Sequence, residues 1–120
     1  MRRPEAPPKS PKYGNVKVVV DGIKFDSQAE AWRYRTLMMR CTTGEITDLE
    51  KQVVFELVPG VRLIGSARRT PALRYIADFR YTVVATGRVV VEDVKGFINQ
   101  VYKIKRHLMK AIHGIDIEEV

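Results

Sequence analysis

Apolar and polar positions along this chain change period several times, and each change marks an element. From Leu73 to Gly96 the sequence reads LRYIADFRYTVVATGRVVVEDVKG. β-Branched and aromatic residues dominate two runs, Leu73 to Val84 and Arg88 to Lys95, which flank Ala85-Thr86-Gly87. That composition, with a glycine at the join, predicts a β-hairpin. Upstream, Val16 to Val20 predicts a short strand, Asp21-Gly22 a tight turn and Ile23 to Phe25 a return strand. Asp26-Ser27 then opens a helix that runs to about Arg40 or Cys41. Its apolar stripe is Ala31, Tyr34, Leu37, Met38 and Cys41, with Trp32 beside it and Gly44 marking the end of the helix region. Ile46 to Leu49 predicts a brief extension, and Gln52 to Val58 a strand stopped by Pro59-Gly60. Gly60 to Ala72 reads as a long basic loop carrying Arg62, Arg68 and Arg69. Asn99 caps a second helix from Gln100 to His113, whose apolar face is Val101, Ile104, Leu108, Ala111 and Ile112. Ile115 to Val120 predicts a last strand.

The hairpin concentrates the candidate chemistry. Side chains alternate along a strand, so Asp93 and Lys95 share one face and Glu92 takes the other. A two-residue loop at Ala85-Thr86 sets Asp78 opposite Asp93, and a four-residue loop from Ala85 to Arg88 sets it opposite Lys95. Either register gathers Asp78, Asp93 and Lys95, whereas a three-residue loop flips the set. Val89 and Val91 precede them on the same face. A cluster of ionisable groups at the end of an apolar strand is costly to bury unpartnered, which favours a site over a surface ion pair. Glu30 has two readings. With Ser27 it has capping-box spacing, and it also stands where the first turn of the helix can turn toward the sheet.

Composition narrows the setting. The 120 residues predict one domain with a modest core, residues 13–120, behind a flexible basic arm at residues 1–12 that contains Pro4, Pro7, Pro8 and Pro11. The formal net charge of +7 predicts attraction to a polyanion, nucleic acid first. Arg68, Arg69, Lys103, Lys105 and Arg106 are the candidate phosphate contacts, and Gln52 is an additional polar group on the neighbouring strand. No apolar run approaches a membrane span, the N-terminus lacks the apolar stretch of a secretory signal, and Cys41 has no internal partner for a disulfide. A cytoplasmic setting is the expectation.

The ordered set Glu30, Asp78, Asp93-Val94-Lys95 and a following basic helix resembles the PD-(D/E)XK nuclease superfamily. Ala77 stands where the family name has proline. The resemblance implies an α/β fold with a restriction-endonuclease-like core, a mixed central β-sheet flanked by two α-helices. The chain is also similar to small phage proteins carrying a domain of unknown function, through KYGN, DGIKFDS, LEKQVVFEL, YIADF, VEDVKG and YKIKRHLMK. Related members look like Holliday-junction resolvases.

That resemblance implies a Mg²⁺-dependent endonuclease, with Mn²⁺ as a substitute. Asp78 and Asp93 would be ligands, Glu30 a further ligand directly, through water or at a second metal, and Lys95 the group that orients or helps deprotonate the attacking water and stabilises the developing charge. The expected substrate is branched DNA, a four-way junction above all, cut by a homodimer in a phage-infected host. A nicking or end-processing phage nuclease is the alternative enzyme. A noncatalytic module that binds nucleic acid or a protein partner is the alternative from another class.

Overall fold

The computed structural model describes residues 17–20 and 22–120. The expected basic arm, Val16 and Asp21 lie outside the described residues.

A two-residue turn signal and two short valine- and isoleucine-rich runs give the first hairpin, β1 (Val18–Val20) and β2 (Ile23–Phe25). Gly22 holds φ 77°, the left-handed backbone such a turn requires. Helix α1 (Gln28–Thr42) starts where Ser27 accepts a hydrogen bond from the Glu30 N–H at 3.1 Å. It buries Ala31 and Leu37 and half-buries Tyr34 and Cys41, as the stripe predicts, but leaves Met38, expected on the same stripe, exposed. Trp32 stays exposed.

Strand β3 (Ile46–Val58) is one continuous element rather than a brief extension followed by a shorter strand. The charged run Asp48-Leu49-Glu50-Lys51 hides it from a periodicity search. Pairing with β4 (Leu73–Val83) carries the strand through that run, with a register shift between Thr47 and Glu50. Between β3 and β4, the segment expected as an open loop is tied together. Thr70 and Val61 exchange hydrogen bonds, and Arg62 bridges Arg69.

Strand β5 (Val89–Asp93) pairs with β4 in the register Phe79↔Glu92 to Thr82↔Val89. That register is the one set by a two-residue loop, although the chain actually turns through Val84 to Gly87, with the Val83 N–H donating to the Arg88 carbonyl at 2.8 Å. Helix α2 (Gln100–His113) runs from its Asn99 cap to Gly114 at φ 68°. The expected last strand shrinks to β6 (Glu118–Glu119), which adds parallel to β5. The sheet order is β3-β4-β5-β6, so it is mixed, as expected. No helix among the described residues is long and apolar enough to cross a membrane.

Two cores lie on opposite faces. Val90 packs with Leu37 and Ala31 of α1, while its neighbour Val91 packs with Tyr102 and Met109 of α2. Adjacent strand residues point to opposite faces, so the helices sandwich the sheet. Of the predicted α2 stripe only Leu108 packs against the core. Val101 and Ile104 are exposed, and Tyr102 and Met109 go inward. The helix is rolled so that the Tyr102 ring can lie beneath Lys95, 4.2 Å from its ammonium.

Strand β4 departs from simple alternation. Phe79 and Tyr81 belong to the α1 core, whereas Tyr75 and Ala77 belong to the α2 core. Residues two apart on a regular strand share a face, so the strand changes sides at Asp78. Across from it the ladder passes from Lys51↔Phe79 to Val53↔Ala77, and the intervening Gln52 holds φ 55°. A left-handed non-glycine residue in a strand is strained by about 1–2 kcal/mol. Gln52→Val, favourable by strand propensity, is therefore expected to destabilise by about 1 kcal/mol, and Gln52→Gly to be neutral or stabilising. Urea unfolding of the two variants checks the order.

Candidate active site

The change of face at Asp78 brings side chains from three elements together. Asp78 comes from the kink in β4, Asp93 from the end of β5 and Glu30 from the first turn of α1. With Lys95 they line one cavity of about 510 Å³. A second cavity of about 650 Å³ shares Asp78, Asp93 and Lys95 and continues past Gln52, Arg74 and Lys105. The acidic cluster thus lies where two arms of a trough meet.

Each acid is held. The Asp78 Oδ2 accepts the Val94 N–H at 2.8 Å. The Asp93 Oδ2 accepts the Tyr75 hydroxyl and lies 3.3 Å from the Lys95 ammonium. Glu30 receives the Ser27 hydroxyl at 3.3 Å, while its own N–H is capped by that serine oxygen. Glu30 is thus both a cap position and a member of the acidic cluster, 9% exposed.

Crowding carboxylates in a partly dry cleft raises their proton affinity. Burial, then the hydrogen bond and charge of Asp93, push Asp78 up to about 9, against a smaller opposing effect of the Val94 N–H. Burial likewise raises Glu30, with the charges of Asp26 and Asp93 adding and hydrogen bonds from Asp78 and Ser27 opposing. Burial and the Asp93 carboxylate beside it keep Tyr75 protonated far above the usual phenol range.

The lysine is fixed by the other end of the chain. The Lys95 N–H donates to the Val120 carbonyl at 3.3 Å, and the Val120 N–H donates to the Asp93 carbonyl at 3.0 Å. Glu119 takes both the Tyr102 hydroxyl and Arg106 at 2.6 Å, which steadies the ring under Lys95. Those two hydrogen bonds also hold Glu119 below the usual carboxylate range.

On the reverse face, Glu92 is 1% exposed. Arg33 grips it with two hydrogen bonds of 2.8 and 2.6 Å, and the Tyr81 hydroxyl adds a third. This bidentate pair ties α1, one turn from Glu30, to the strand that carries Asp93.

The basic candidates divide. Lys105 lines the trough. Arg106 is engaged with Glu119 and stacks over Tyr102, and Lys103 lies with it along a separate hollow between α2 and the segment Ile115–Ile117. The Arg69 guanidinium donates to the Gly60 carbonyl at 2.9 Å and Arg68 is exposed, and neither lines the trough. Arg74, Tyr75, Tyr102 and Glu119 escaped the sequence reading. Strict alternation assigns Tyr75 to the face opposite Asp78, and only the kink reverses that.

Hard oxygen donors of this kind suit Mg²⁺ or Mn²⁺. Among the described residues no group of three or more His, Cys, Asp and Glu side chains forms a ready metal cage. Magnesium sites commonly use one or two carboxylates, completed by water and substrate phosphate, and Asp78 with Asp93 fits that pattern.

Fold and site together define a mixed α/β protein with helices on both sheet faces and a carboxylate–lysine cluster at a strand kink. The chain belongs to the family described as "Protein of unknown function (DUF1064)", whose profile matches residues 10–116. No curated protein and no solved structure matches it.

Two outcomes follow from this geometry. Asp78 binds its proton more tightly folded, near pH 9, than its ordinary value of 3.8. Its stabilising contribution is therefore complete below pH 3.8 and is lost as pH rises toward 9. In EDTA, the stability of the parent relative to Asp78→Asn should fall between pH 5 and pH 8, read by thermal unfolding. Separately, Arg33→Met strands a buried carboxylate and should cost about 3 kcal/mol in chemical denaturation. Adding Glu92→Gln should recover more than about 1 kcal/mol of that loss, the coupling of a directly bonded pair.

Proposed function

We propose that this protein is a Mg²⁺-dependent DNA endonuclease of the PD-(D/E)XK type, selective for branched DNA such as a four-way junction and acting as a homodimer. The observation that carries the reading is the convergence of Glu30, Asp78 and Asp93 with Lys95 at one break in the sheet, beside a cleft arm bearing Arg74 and Lys105. A buried like-charged cluster is unfavourable unless a cation or substrate completes it. The formal charge of +7 supports a polyanionic partner.

In this reading Asp78 and Asp93 hold the metal, with Glu30 a further ligand directly or through water. When bound, Mg²⁺ or Mn²⁺ supplies positive charge to the phosphoryl oxygens and acidifies water. The Val94 N–H and the Tyr75 hydroxyl each occupy one carboxylate oxygen, so the two aspartates keep their orientation before substrate arrives. Lys95 would donate to a non-bridging oxygen and orient the water, steadying the charge that develops as the water oxygen bonds to phosphorus and gives up its proton to solvent. The P–O bond breaks as the leaving sugar oxygen departs with the bonding pair and takes a proton from solvent. Tyr102 limits where its ammonium can move. Lys105 and Arg74 hold flanking phosphates, which position the strand without reading sequence.

Asp93→Asn is expected to lower cleavage of a labelled four-way junction by at least about 100-fold in Mg²⁺ while junction binding is kept, since a negative ligand is lost and repulsion of phosphate falls. Lys95→Ala should lose a similar factor with metal binding retained by calorimetry. Glu30→Gln separates its two roles. Glutamine preserves the cap, so a cleavage defect with unchanged thermal stability assigns Glu30 to the site. Full cleavage by Asp93→Asn would end the nuclease reading.

A further inference from the structure

Phe97 lies at the mouth of the acidic cleft, 68% exposed, with Ile98 beside it 39% exposed. It follows Lys95 across Gly96 and lines the same cavity as Glu30, Asp78 and Asp93. Leaving a ring in water forgoes the stabilisation that burying its apolar area would provide, and neither core recruits it. The far arm of the trough carries the cations Arg74 and Lys105. One arm therefore presents charge and the other a ring, on either side of the carboxylates.

We infer that Phe97 stacks on a DNA base next to the scissile phosphate, and that this base is unpaired, so the strand is single or splayed where it is cut. In a continuous duplex neighbours cover both faces of each base, so a ring stacks there only after a base step is forced open, whereas an unpaired base offers a face without that cost. An unstacked base exposes its π-face to such a ring whatever its identity. The inference rests on the nuclease reading and narrows it, because it names the state of the strand at the cut rather than the shape of the whole substrate.

The test compares the parent with Phe97→Ala, Phe97→Leu and Phe97→Trp. The probes are a single strand, a splayed fork and a continuous duplex, each with 2-aminopurine at the candidate base. Binding is measured in EDTA and cleavage in Mg²⁺. The affinity of the alanine and leucine variants for fork and single strand should fall roughly fivefold or more. The tryptophan variant should keep it, and the 2-aminopurine emission change seen with the parent should vanish in Phe97→Ala. Parent-like binding and emission by Phe97→Ala overturns the assignment. So does full activity of Phe97→Leu, which points to an apolar contact without stacking. A shift in sedimentation on Phe97→Ala, with emission unchanged, overturns it in favour of a protein contact. If the parent shows the stacking signal but cuts nothing, the nuclease reading falls and the stacking site stands. If the parent cuts the fork and Phe97→Ala cuts it equally well, the stacking site alone falls.

Discussion

The arrangement depends on a single irregularity in the sheet, the point where β4 changes faces at Asp78. A regular strand would keep Tyr75, Ala77, Phe79 and Tyr81 on one side and Asp78 on the other. The left-handed Gln52 across the ladder lets the pairing continue while the side chains swap sides. The break serves two cores at once, because the upper half of β4 supports α1 and the lower half supports α2. It also places Asp78 where a glutamate from α1 and an aspartate from the α2 side can both reach it. Strained backbone at a cluster of ionisable groups is a recurrent association, since the surrounding packing must hold a conformation that local preference opposes.

Around that point the fold spends its polar contacts on holding the cluster. The Arg33–Glu92 pair, with Tyr81, fixes α1 against β5 from behind. Tyr75 and the Val94 N–H fix the two aspartates from the front. The C-terminal strand fixes Lys95 through its backbone and, via Glu119 and Tyr102, beneath its ammonium. Among the described residues no buried side-chain polar atom lacks a hydrogen-bond partner. The unfavourable quantities left in the site are the burial of its carboxylates and, after it, their mutual repulsion. That repulsion is relieved by a proton or by a cation, and the two compete.

The positive charge of the chain is less available than its sum implies. Arg33, Arg40, Arg80, Arg88, Arg106 and Lys110 are each paired with a carboxylate. Lys105 and Arg74 instead line the trough. Position, more than net charge, therefore separates the cations that can meet a phosphate at the cleft from those that tie elements together.

The sequence by itself determined both helices with their N-caps, the β4–β5 hairpin and, in either of the two registers it left open, the juxtaposition of Asp78, Asp93 and Lys95; the ladder chose between those registers. These are local matters: turn chemistry, capping residues and a period of two or 3.6 act over a few positions. Only the tertiary structure decided that β3 runs unbroken through its charged stretch, since the ladder with β4 overrides a run that has no alternation of its own. It decided which face of α2 is buried, because the apolar stripe at Val101 and Ile104 yields to the fit of Tyr102 and Met109 against the sheet. It assigned Tyr75, Tyr102 and Glu119 to the site, although alternation placed Tyr75 on the wrong face and Glu119 lies 26 residues beyond Asp93 in the chain. A kink across two strands and a contact between distant segments have no local pattern, because their cost and their benefit are set by partners far away in sequence.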